Sequence, residues 1–108
     1  MLNVDPWPFD QARNCAVFTT RLVVQRREPI LHVTHDADDH GWQFIGSTDG
    51  TRENHMIIAF HEAVELDPSV LEVADLPVGW HAVRESPKHP WIRGPHPEAT
   101  PACPPQGR

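Results

Sequence analysis

The residues of this chain with the widest chemical scope are its eight histidines, at positions 32, 35, 40, 55, 61, 81, 89 and 96. An imidazole can move a proton near neutral pH or bind a transition metal. His32-x-x-His35 has a spacing that would gather two ligands on a helix. On a strand the same spacing sends the two rings to opposite faces. His35, Asp36, Asp38, Asp39 and His40 share one short polar stretch. To hold zinc, such a set must converge three or four donors with oriented partners behind them. The stretch also lacks the glycine and glutamate positions of an EF-hand loop. It is read as a solvated turn with no metal and no cofactor assigned. A small metal-dependent hydrolase built on residues 35–40 is the least favoured alternative.

Nucleophilic chemistry has even less support. Cys15 carries no local protease signature, and Ser47, Ser69 and Ser86 lack the G-x-S-x-G elbow. The six glycines are scattered singly, so no phosphate-cradling loop is present. No catalytic residue is assigned, and the chain is read as a non-enzymatic protein.

Charge is the stronger signal. The chain has 9 basic and 15 acidic residues, a net charge of −6 with histidine neutral. A nucleic-acid binder needs clustered positive charge to displace counterions, so that class is excluded. Between His35 and Asp75 the only basic residue is Arg52, against ten acidic ones. Asp36, Asp38, Asp39, Glu62, Glu65 and Glu72 from this stretch are the candidate partner-binding residues. A surface of this sign steers basic macromolecules toward itself. The simpler alternative is a solvated face that keeps the protein soluble.

The elements that would position these groups follow from local pattern. Ala16–Thr20 with Cys15 is short, apolar and partly β-branched, and predicts a strand; Ile30–His35 and Trp42–Ile45 predict two more. Trp42 and Phe44 fall on one face and Gln43 on the other. Met56–Phe60 is apolar on both faces and predicts a central fourth strand. Residues 61–66 predict a helix, and Asp67-Pro68 starts a second over 68–74 with Val70, Leu71 and Ala74 as its buried stripe. Trp80–Arg84 predicts a fifth strand. The expected fold is α+β: a small, mostly antiparallel sheet of about five strands, with one or two short helices between strands four and five.

The ends differ from the middle. Asp5-Pro6-Trp7-Pro8-Phe9 must be extended, so residues 1–12 read as an arm that Trp7 and Phe9 anchor. Seven of the twelve prolines lie beyond Ser86, and residues 94–108 hold almost nothing apolar to bury. They predict a disordered tail following a single domain over 13–93. The start has no signal-peptide pattern, and the longest apolar run, Met56–Phe60, is far short of the ~20 residues that span a bilayer. A cytoplasmic protein with no membrane contact is expected. Cys15 and Cys103 fit a reducing compartment, and no disulfide between them is expected. The expected oligomeric state is a monomer or weak homodimer.

Several segments taken together resemble a known family. They are Arg13–Thr20, Pro29–Val33, Asp38-Asp39-His40-Gly41-Trp42-Gln43-Phe44, Leu66-Asp67-Pro68-Ser69 and Asp75-Leu76-Pro77-Val78-Gly79-Trp80-His81-Ala82-Val83-Arg84. Their order resembles a bacterial family first catalogued as a domain of unknown function and later grouped with the predicted immunity proteins of polymorphic toxin systems. The W-Q-F and L-P-x-G-W elements carry the likeness, which covers roughly residues 12–93. It implies a protein that binds and neutralises a toxin, which the acidic stretch would make a basic toxin protein. The alternative is an interaction or accessory module with no toxin partner. The likeness carries over no functional residue.

Overall fold

The computed structural model describes residues 6–47 and 53–96. Its strands are β1 (Ala16–Thr20), β2 (His32–His35), β3 (Trp42–Ile45), β4 (His55–Ala59), β5 (Trp80–Val83) and β6 (Ile92–Pro95). Its helices are α1 (Arg21–Val24), α2 (Phe60–Leu66) and a 3₁₀ helix, Pro68–Val73. The strands form one sheet in the order β4-β1-β3-β2-β5-β6. Four neighbouring pairs are antiparallel; β1 and β3 are parallel. The protein is thus a small α+β domain with a mixed six-stranded sheet, where the sequence predicted about five strands.

The sixth strand lies partly where the sequence placed the start of the tail. Gly94 and Pro95 pair with His81 and Trp80 of β5. Proline removes a ladder donor, which an outermost strand tolerates on its unpaired side. Propensity alone gives no strand here; the exposed edge of β5 supplies it. Residues 97–108, with Cys103, lie outside the described residues, as do residues 1–5 and 48–52.

β4 is a correction. Its apolar run predicted a central strand, yet it occupies one end of the sheet and, among the described residues, pairs only with β1. Ile57 is 60% exposed there. The run misleads because it joins two elements. Phe60 is the first residue of α2 and drops fully into the core, so the strand itself is only half-buried.

The predicted second helix is also differently wound. In a 3₁₀ helix side chains three apart eclipse. Val70 and Val73 are therefore the buried pair, followed at the same interval by Leu76, while Leu71 and Ala74 are half-buried. Asp67 caps this helix, accepting from the Ser69 amide at 3.0 Å.

One face of the sheet packs the core. Val17, Val33, Trp42, Phe44 and Ala82 meet Phe60, Ala63 and Val64 of α2 and the 3₁₀ valines. The arm belongs to this layer: Phe9 is buried, its ring 4.4 Å from Phe60 and 5.2 Å from Trp42. The predicted anchoring residue is thus a core residue. The other face carries the alternate residues of the same strands. Phe18, Gln43 and Thr34 lie across β1, β3 and β2, followed by His81 of β5. The buried residues of all three helices belong to the core face.

Candidate functional site

His32 and His81 project from adjacent strands on that second face. The β2–β5 register sets Thr34 opposite His81 and Val83 opposite His32, so the two histidines are diagonal neighbours. Diagonal pairs on one face are within reach of long and ring-bearing side chains. His32 Nε2 and His81 Nδ1 are 3.0 Å apart. His96, just past β6, joins them. Its amide donates to the Gly79 carbonyl at 2.9 Å, which fixes His96 beside β5. Its ring lies 4.8 Å from that of His81 and 6.0 Å from that of His32. One nitrogen from each ring falls within 4.8 Å of the other two, and all three residues are half-buried.

Electrostatics in the trio follow from this crowding. Burial pushes the His32 imidazole below its ordinary pKa, and any charge on His81 or His96 pushes it further. His81 is lowered by burial and then by His96. His32 and His81 therefore resist protonation and keep their ring nitrogens available as lone-pair donors.

Asp36 lies two residues beyond Thr34, close enough to His96 for their charges to interact. Burial raises the Asp36 carboxyl, and Asp39 and Asp38 raise it further, against hydrogen bonds from Gln43 Nε2 at 2.9 and 3.1 Å. Asp38 and Asp39 are exposed on the β2–β3 turn. Asp39 Oδ1 accepts from the Gly41 amide at 2.8 Å, which shapes that turn.

The other predicted partner-binding residues lie on other elements. Glu62 caps its own helix, accepting from the Ala59 amide at 2.8 Å. Glu65 is 3.1 Å from His61 on α2. Glu72 belongs to the 3₁₀ helix, where its carbonyl accepts from Arg93. The structure brings Asp36, Asp38 and Asp39 together in one turn and leaves Glu62, Glu65 and Glu72 on the two helices.

His35 does not join a site with Asp36, Asp38, Asp39 and His40. It is 4% exposed, stacks on Trp42 at 4.1 Å, and faces the Leu76 carbonyl at 2.7 Å and Asp10 at 3.0 Å. Asp10 also accepts from Trp42 Nε1 at 2.8 Å. His40 stands exposed at φ 60°. Among the described residues, the group that could hold a metal is His32, His81 and His96, which the sequence reading left unassigned. Two shallow grooves, of about 290 and 150 Å³, lie along α1 and α2 beside Arg26, and no histidine lines either.

The family-like segments have a physical explanation in the core. Arg84 is buried and donates twice to the Ile30 carbonyl, at 3.0 and 2.8 Å. It also donates to Ser69 Oγ at 2.9 Å and to Asp67 Oδ2 at 2.7 Å, and lies over Trp91 at 4.1 Å. The P-I, D-P-S and final arginine elements thus meet in one polar knot. Such a knot explains the pattern by folding rather than by chemistry. Compared with protein-family models, curated proteins and solved structures, the chain matches none.

Proposed function

We propose that this chain is a non-enzymatic binding protein that meets a basic protein partner through the acidic turn between β2 and β3. Three carboxylates, Asp36, Asp38 and Asp39, crowd into four residues, and burial, followed by their mutual repulsion, holds the Asp36 carboxyl above its ordinary value. Repulsion stored in a free protein is released when a basic surface covers it. That crowding is the observation that supports this reading. Glu62, Glu65 and Glu72 add longer-range attraction from the helices. A toxin protein is the partner class that the resemblance implies, so the reading is of an immunity-type protein. An accessory module with no toxin partner is the competing version.

The reading places the protein in the cytoplasm, where the free thiol of Cys15 stays reduced. No helix among the described residues is long and apolar enough to cross a membrane. The protein acts as a monomer or weak homodimer, the end strands β4 and β6 offering edges for pairing.

The test begins by capturing the partner from an extract of the native organism and identifying it. Association rates are then measured with the purified partner. The Asp38→Lys/Asp39→Lys variant should associate about tenfold more slowly at low salt, the difference shrinking as salt rises. Equal rates for variant and parent would remove the acidic turn from the interface. Protection of cells expressing the captured protein separates the immunity version from the accessory one.

A further inference from the structure

We propose that His32, His81 and His96 form a binding site for one divalent transition-metal ion, Zn²⁺ above all. The site stands apart from the partner-binding reading and rests on other observations. β2, β5 and the end of β6 each supply one ring, on the face of the sheet opposite the helical core. The three donor nitrogens lie within 4.8 Å of one another, and the closest pair is 3.0 Å apart. Nitrogens bound at about 2.0–2.1 Å to a tetrahedral zinc stand roughly 3.3 Å apart. The His32–His81 pair is thus near ligand spacing already, and the His96 nitrogen, within 4.8 Å of both, is the one that must close on the ion.

The donor set selects the ion. Imidazole suits zinc, copper, nickel and cobalt, whereas calcium and magnesium require oxygen shells. Three protein ligands leave a fourth position open, the pattern of sites that keep a water or accept a donor from outside. Asp36, within electrostatic reach of His96, adds negative charge beside the site and favours a cation there. Cation binding also gives the crowded rings an attractive common partner. The mechanical consequence is a staple. Among the described residues β6 pairs only with β5, and an ion shared by His96 and His32 would tie this outermost strand to β2 across β5.

The full chain, freed of metal with a chelator, should bind one Zn²⁺ per molecule in a calorimetric titration. Co²⁺ in its place should give the visible bands of a tetrahedral site. His32→Gln, His81→Gln and His96→Gln should each weaken binding roughly tenfold or more, while His61→Gln and His89→Gln leave it unchanged. Zinc should raise the Tm of the parent but not of the triple variant, whose fold is checked by circular dichroism. In the parent itself, zinc should shift the NMR signals of these three rings and not those of His55 or His61. The last measurement holds even if a variant fails to fold. Absence of zinc binding by the folded parent, or binding that survives in the triple variant, would overturn the proposal.

Discussion

His32 and His35 stand three residues apart on β2 and end in opposite environments. His35 is buried among oxygens and aromatic rings, held by Asp10 from the arm and by the Leu76 carbonyl. His32 is half-buried among other imidazoles, and burial first, then those neighbours, disfavour its charge. The same side chain is a structural pin on one face and a lone-pair donor on the other. The polar knot around Arg84 extends the contrast. Each guanidinium nitrogen of Arg84 meets an oxygen, so removing a member strands the rest. The imidazoles of His32 and His81 instead face each other at 3.0 Å, and charges on the trio repel. The polar residues of the knot therefore stabilise the fold, whereas His32 and His81 are placed for the ion proposed above.

The largest break in this comparison should come from Arg84→Ala. It leaves Asp67 and the Ile30 carbonyl without their cation and should destabilise by about 3 kcal/mol, read as a lower urea midpoint. His32→Ala in the same experiment should change stability by less than about 1 kcal/mol. Comparable losses for the two would erase the distinction between the faces.

Asp10→Ala should cost less, about 1–2 kcal/mol. It removes the acceptor of both His35 Nε2 and Trp42 Nε1, but the Asp10 side chain is 44% exposed and water can substitute in part. Thermal unfolding would measure it. An unchanged Tm would mean that the arm is not pinned through this carboxylate.

The smallest effect is a pH slope. Folding lowers the His32 and His81 pKa values below the ordinary 6.5, so the unfolded chain binds more protons. Their contribution is complete above pH 6.5 and declines as the pH falls through that value toward the folded-state pKa values. The His32→Gln/His81→Gln variant should therefore lose less stability than the parent between pH 7 and pH 5, by calorimetry at each pH. Parallel curves would contradict the assigned direction.

Local patterns in the sequence settle a good part of this molecule. The alternation Trp42-Gln43-Phe44 sets the faces of β3, and Asp67-Pro68 starts a helix, because period and capping are local. The opposite faces of His32 and His35 follow from the same two-residue period. Local pattern misplaces β4, since the apolar run through Phe60 spans a strand end and a helix start. Nor does it yield β6, since Gly94 and Pro95 have no strand preference of their own and pair only because β5 presents an edge. Residues 32, 81 and 96 share no sequence spacing that chemistry would recognise. A clue was present, because His81 alternates with Trp80 and Ala82 and must face away from the core, as His32 does. What spacing omits is register: the pairing of β2 with β5 and of β5 with β6 places these rings side by side. The sequence determines which residues face away from the core, through the pleat of each strand. Which of them meet is decided by the tertiary pairing of strands distant in the chain, because backbone hydrogen bonds between strands fix neighbours that no local preference encodes.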